Sequence, residues 1–202
     1  MHSYQGENDV MRSAYLLYYI ILYPIARILL PCAVFGRENI PAGPLVICAN
    51  HTSLMDPVLV GYAFGRKRQL FFMAKAELFK VPVLGAFLRS IGVFPINREE
   101  TDISSIRTAI RHLKNGQQIM MFPEGTRVGD SDMVPAKSGA VRIATKMKAP
   151  ILPIYITPGK KILRSSKVVI GMPYTVEAPA DKNYLPLADE LMVKIQALEP
   201  KH

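Results

Sequence analysis

The sequence predicts an α/β domain, a mostly parallel central sheet flanked by helices. Three observations predict it. Short apolar runs of strand length alternate with longer helical stretches almost to the C-terminus. Half of the 202 residues are hydrophobic, enough for one domain with a substantial core. Polar clusters follow three of the strand runs directly, and in open α/β sheets ligands bind in the crevice beyond the carboxyl ends of the strands.

Taken in order, residues 1–10 are polar and expected to be loose. Residues 11–30 read as a helix. The uncharged part between Arg12 and Arg27 is too short for a span of about 20 apolar residues. Pro24 is expected to kink or break it, and no small-residue cleavage pattern follows. Tyr15, Tyr19 and Tyr23 share one helical face and suit a membrane–water boundary. The segment is therefore expected to be membrane-associated, a helix or broken pair of helices lying in one leaflet, with a helix covering the sheet as the alternative. It gives the chain an interfacial helical segment over 1–31 and an α/β domain over 32–202.

Strands are expected at 33–36, 45–49, 69–74, 92–96, 117–122, 151–156 and 167–171. Helices are expected from about Pro57 to Gly65, over 76–89 with an interruption at Pro82, from about Asp102 to Gly116, over 138–148, and from about Leu187 to Leu198. In the third of these helices, Ile103, Ile106, Ile110 and Leu113 keep to one face, and Asp102 is placed to cap its start. Arg66-Lys67-Arg68 reads as a solvated basic turn.

A net charge of +9 points to an anionic partner: a membrane surface, nucleic acid or an acidic protein. Cys32 and Cys48 sit in apolar surroundings and read as buried thiols rather than a disulfide. No Gly-x-Ser-x-Gly elbow, Walker loop or dinucleotide glycine pattern is present. His2, His51, His112 and His202 are scattered without zinc-ligand spacing, so no metal and no cofactor is expected. No nucleic-acid recognition module appears, and nucleic acid is not an expected partner.

The chemistry gathers at Asn50-His51-Thr52-Ser53-Leu54-Met55-Asp56. An imidazole can take a proton from a hydroxyl near neutral pH, and a carboxylate on its other nitrogen would fix the tautomer. On an ideal helix a five-residue separation turns two side chains about 140° apart. His51 and Asp56 can meet only if His51 lies on the loop and Asp56 near the helix start, with Thr52 or Ser53 as N-cap. The plainer alternative is a turn histidine followed by a capping aspartate. Asn97-Arg98 and Glu124-Gly125-Thr126-Arg127 also fall just past expected strands, so parallel strands would bring all three clusters to one edge. Arginine forks match phosphate oxygens, and Gly125 lets backbone approach a ligand closely.

At these residues the sequence resembles the glycerolipid acyltransferases, specifically the bacterial 1-acylglycerol-3-phosphate acyltransferases. The stretch from Asn50 to Asp56 resembles the family's first motif, a histidine and an aspartate separated by four residues. Gly92-Val93-Phe94-Pro95-Ile96-Asn97-Arg98 resembles the second, Phe122-Pro123-Glu124-Gly125-Thr126-Arg127 the third, and Ala149-Pro150-Ile151-Leu152-Pro153-Ile154 the fourth. The resemblance implies that His51 deprotonates the free hydroxyl of a lysophospholipid, with Asp56 orienting it. It implies attack on an acyl thioester, acyl-CoA or acyl-carrier protein, with no acyl-enzyme. It further implies that Arg98, Glu124, Gly125, Thr126 and Arg127 hold the acceptor's glycerol phosphate. The family is monotopic on the cytoplasmic face of the cell membrane and uses no metal. Val128 and Asn97 depart from the residues common at those motif positions. The favoured acceptor is lysophosphatidic acid. Glycerol-3-phosphate or a lyso-aminolipid is the alternative within the chemistry, and a non-catalytic protein binding anionic membrane surfaces is the alternative outside it.

Overall fold

The computed structural model describes residues 2–97, 102–125 and 136–200, with side chains from residue 12 onward. Three expected site residues, Arg98, Thr126 and Arg127, lie outside the described residues.

The sheet contains β1 (Cys32–Phe35), β2 (Leu45–Ala49), β3 (Leu70–Lys75), β4 (Phe94–Ile96), β5 (Gln118–Met121), β6 (Ile151–Ile156) and β7 (Ser166–Ile170). Among the described residues its seven strands lie in the order β1-β7-β6-β2-β5-β3-β4. Neighbours pair in parallel except β6 and β7. It follows that β2 to β6 run one way, with β1 and β7 against them. The register Leu45↔Gln118 and Val46↔Ile151 puts β2 between β5 and β6, and every residue of β2 is buried. That is why this run is uniformly apolar rather than alternating.

Two prolines enter the sheet where the ladder tolerates them. Pro95 lies on the edge strand β4. Pro153 lies in the central strand β6, but its carbonyl accepts from Gly171 N–H, so its ring nitrogen also faces the β7 side. Pairing with β7 begins only at Ile154, so no ladder bond is lost there.

Among the described residues six α-helices surround the sheet: α1 (His2–Leu29), α2 (Asp56–Phe64), α3 (Pro82–Ser90), α4 (Ile103–Lys114), α5 (Gly139–Met147) and α6 (Leu185–Gln196). One layer packs Ala109 and Leu113 of α4, Val141 of α5 and Leu191 of α6 on Val46, Cys48 and Ile119. The other packs Leu59, Val60 and Phe64 of α2, with Tyr23 and Ala26 of α1, on Ile47, Leu152 and Ile154. Asp102 caps α4 by accepting from Ser105 N–H, and its Oδ2 also receives Asn97 N–H. Those bonds hold its carboxyl down at about 2. Cys32 and Cys48 are free thiols.

The structure corrects four expectations. Residues 2–10 continue α1 rather than remaining loose, and Pro24 lies inside the helix without ending it. A proline removes one intrahelical bond, but an established helix gains one for each further residue, so the segment propagates through. The tyrosine face does not mark a membrane boundary, since it seats α1 on the domain. Tyr23 stacks on Tyr19 at 4.5 Å and meets Tyr62 edge-on at 4.6 Å, and the Tyr62 hydroxyl donates to Tyr23 O at 2.8 Å. Arg68, read as part of a solvated turn, donates to the carbonyls of Ile40 and Pro41.

Candidate active site

The parallel run of β2 to β6 brings the ends of β2, β4 and β5 to one edge of the sheet, so the expected clusters start from a common side. β2 and β5 are direct neighbours, while β4 lies two strands beyond β5. Adjacent strands are about 4.8 Å apart. The first and third clusters therefore touch, and Asn97 stands across a gap from them.

Past Ala49 the chain leaves the sheet through Asn50. Its amide donates to Ile156 O at 2.8 Å and accepts from Ile156 N–H at 2.7 Å, tying the exit of β2 to the end of β6. His51 follows on the loop, and Asp56 opens α2 with Pro57 in the first turn, where proline's missing N–H costs nothing. Thr52 and Ser53 do not cap the helix through their side chains. Their backbone N–H groups point into the Asp56 carboxylate instead, each 2.8 Å from Oδ2. Ser53 Oγ accepts from Met55 N–H at 3.2 Å. The loop is thus wound around Asp56, which is why a five-residue separation closes to contact.

His51 Nδ1 lies 3.0 Å from Asp56 Oδ2. An ionised carboxylate offers only lone pairs, so Nδ1 carries the hydrogen and Nε2 is left as the proton-accepting nitrogen. The imidazole stacks on Phe122, just past β5, with ring centroids 3.9 Å apart and planes 17° from parallel. Two contacts at near-right angles therefore fix the ring.

Asp56 is fully buried. Burial alone would push its carboxyl up, but hydrogen bonds from His51 and Lys160, together with the Lys160 charge, hold it below the usual carboxylate range. Lys160 is the residue that sequence reasoning missed. Its ammonium sits 2.9 Å from Asp56 Oδ1, and its side chain is 1% exposed. It arrives from the segment after β6, which also ends at this edge. The rule that flagged the other three strand ends would have flagged Thr157-Pro158-Gly159-Lys160 as well.

Glu124 also faces this loop, and its Oε2 accepts the His51 backbone N–H at 2.8 Å. Burial pushes its carboxyl up to about 7, with a further upward push from Asp56, against the lowering effect of the His51 N–H. Folding therefore takes up a proton at Glu124 between about 4.5 and 7, and stability contributed by this group falls as pH rises through that window. Glu124→Gln keeps an acceptor for the His51 N–H and cannot ionise. Its melting temperature relative to the native chain should rise between pH 5 and pH 8, as thermal unfolding across that range would show. A constant difference would remove Glu124 ionisation from the folding balance.

Gly125 takes a left-handed φ of 70°, and a Cβ there would come within 2.9 Å of the Lys137 side chain. Beside it opens a cavity of about 430 Å³ between the ends of β4 and β5 and the starts of α4 and α5. Met73, Ile106 and Met121 give it apolar walls, while Asn97, Lys137 and Arg142 give it polar ones. Phe122 lines this cavity and carries His51 on its ring, so the dyad and the cavity share a wall. The arrangement can remove a proton from a hydroxyl presented beside a half-apolar, half-basic recess.

Comparison with known proteins agrees with this chemistry. Residues 32–157 match the Acyltransferase family. The chain is 38% identical over 174 residues to the 1-acyl-sn-glycerol-3-phosphate acyltransferase of Bacillus subtilis, covering 83% of this chain and 84% of that protein. It is 32% identical to the chloroplastic 1-acyl-sn-glycerol-3-phosphate acyltransferase BAT2 of Brassica napus, across 71% of this chain and 41% of the longer plant protein. Its fold superimposes on the crystal structure of the 1-acyl-sn-glycerophosphate acyltransferase PlsC from Thermotoga maritima with a TM-score of 0.68 and 25% identity, covering 98% of this chain and 81% of that one. With the family match spanning β1 to β6 and the dyad alike, this chain belongs to the acyltransferase family.

Proposed function

We propose that this acyltransferase moves a fatty acyl group from an acyl thioester to the free sn-2 hydroxyl of lysophosphatidic acid, giving phosphatidic acid. The observation that carries the reading is the His51–Asp56 contact at the sheet edge, with Nε2 left to accept a proton. The names of the Bacillus and Brassica relatives support the acceptor.

His51 Nε2 takes the proton of the acceptor hydroxyl as its oxygen bonds to the thioester carbonyl carbon. Asp56 stabilises the imidazolium that forms. Collapse of the tetrahedral intermediate breaks the carbon–sulfur bond, and the imidazolium returns its proton to the departing thiolate. The transfer is direct, with no acyl-enzyme. The donor is a coenzyme A or carrier-protein thioester. The positive surface suits both the polyanionic coenzyme and an acidic carrier.

The cavity beside Phe122 takes the acceptor. Its basic side, Lys137 and Arg142 at the start of α5, suits the glycerol phosphate. The motif arginines Arg98 and Arg127, with Glu124, Gly125 and Thr126, complete the acceptor seat. An acceptor panel tests this. Lysophosphatidic acid should give the highest kcat/KM, ahead of glycerol-3-phosphate and lyso-aminolipids. A higher value for another acceptor would reassign the substrate and leave the reaction class standing.

The 1–31 segment acts as a monotopic anchor for the 32–202 domain. No described helix is long and apolar enough to cross a membrane. With its tyrosine face turned inward, α1 leaves Leu17, Ile20, Ile25 and Ile28 each more than half exposed. Ile162 and Leu163 extend this surface, because Leu163 N–H donates to Leu29 O at 2.7 Å. Exposed Arg27, Lys161 and Arg164 flank it. An apolar patch with a basic border fits an anionic lipid surface. Replacing Ile162 and Leu163 together by serine should weaken binding to anionic vesicles about tenfold or more in a sedimentation assay, since each such side chain contributes about 1.5–3 kcal/mol when buried. Unchanged binding would confine the anchor to α1.

A further inference from the structure

We infer that Lys160 is a positioning residue for the dyad: it holds Asp56 in place and, by balancing its charge, sets the pH above which His51 works as a base. The inference rests on the proposed role of His51 and adds a residue outside the four motifs.

The geometry is closed on all sides. The Lys160 ammonium is 2.9 Å from Asp56 Oδ1, donates to Thr52 Oγ1 at 2.8 Å and donates to Thr157 O at 2.7 Å. Thr52 Oγ1 on the His51 loop and Thr157 O on its own segment accept two of its hydrogens, and Asp56 Oδ1 on α2 faces it as the counter-charge. Asp56 in turn divides its oxygens. Oδ2 serves His51 Nδ1 and the N–H groups of Thr52 and Ser53, and Oδ1 serves Lys160. With a side chain 1% exposed, the lysine does nothing at the surface that an ordinary basic residue would do.

Its effect on His51 follows from the charges that face the imidazole. Asp56 presents a negative charge from α2, Glu124 a titrating carboxyl from beyond β5, and Lys160 a positive charge from beyond β6. Lys137 stands further round the same rim, against Gly125. An unbalanced buried aspartate favours the imidazolium and keeps the histidine protonated to higher pH. Lys160 offsets that pull while leaving the Nδ1 hydrogen bond intact. The result is an oriented imidazole whose Nδ1 hydrogen bond is kept while the negative charge facing it is balanced. Lys160 contacts no reacting atom and acts through Asp56.

The test is the pH profile of kcat/KM for phosphatidic acid formation by the native chain, Lys160→Met, Lys160→Gln and Lys160→Arg. Methionine fills the space and removes the charge, whereas glutamine also removes the charge but keeps a donor for Asp56, so that it serves as the neutral variant should the methionine one fail to fold. Both neutral variants should move the acid limb upward by about one pH unit, with kcat at pH 7 reduced about threefold and KM for the acceptor little changed. Arginine keeps the charge and should leave the limb in place. An unshifted limb in the neutral variants, with only a lowered melting temperature, would overturn the inference and leave Lys160 a structural tether. If the native chain forms no phosphatidic acid, the proposed function fails first, and the two failures are thus distinct.

Discussion

Asp56→Ala is expected to remove turnover and about 3–5 kcal/mol of folding stability together. The stability loss follows from burial. Asp56 is inaccessible to solvent, and its removal leaves the Lys160 ammonium, with a side chain 1% exposed, without its counter-charge. Two backbone N–H groups, of Thr52 and Ser53, lose their acceptor in the same step. The loss of turnover follows from the tautomer, because without Asp56 nothing holds the hydrogen on Nδ1. Urea unfolding and a turnover assay on one preparation would check both. The stabilising charge has a pH dependence of known sign. The carboxyl is held below its ordinary 3.8, so its contribution is complete above that value and is lost as pH falls through the lowered one. The gap between native and Asp56→Ala stability should therefore be full at pH 7 and shrink in acid. Native-like stability in Asp56→Ala at pH 7 would mean that the Lys160–Asp56 pair is not formed in solution.

His51→Ala is expected to separate the two effects. It should lower kcat by about 10³–10⁴-fold, the upper range for a general base, while costing only about 1–3 kcal/mol from one charge-assisted hydrogen bond and the contact with Phe122. Asp56 keeps Thr52, Ser53 and Lys160 as partners, so the loop stays wound around it. The acceptor KM should change little, because the cavity walls do not include His51. A loss confined to KM would make His51 a binding residue instead.

The contrast between those variants shows what could be read from the chain alone. Strand runs such as 45–49 and 151–156 were legible because a strand buried on both faces must be apolar throughout. Asp102 as a cap and the ends of β2, β4 and β5 at one edge followed from capping and parallel topology. The contact of His51 with Asp56 was legible as a condition, a loop histidine against a helix-start aspartate. How the loop meets that condition was not, because it depends on backbone N–H groups that any residue carries. Lys160 was hidden for another reason. A lysine after a Pro-Gly turn looks like a solvated basic residue, and only the tertiary position of the β6 end turns it inward. The tyrosine stripe of α1 was misread because amphipathic rings suit a lipid boundary and a helix packing face equally. The partner across the interface, Tyr62, decides between them, and it lies far along the chain.

The most direct test of the central claim is phosphatidic acid formation from lysophosphatidic acid and an acyl thioester in mixed micelles, with the native chain and His51→Ala assayed side by side on both coenzyme A and carrier-protein donors. The account predicts product from the native chain with one or both donors, stoichiometric thiol release, and loss of both in a folded His51→Ala. Substantial product from a folded His51→Ala, or none from the native chain with either donor, would contradict it.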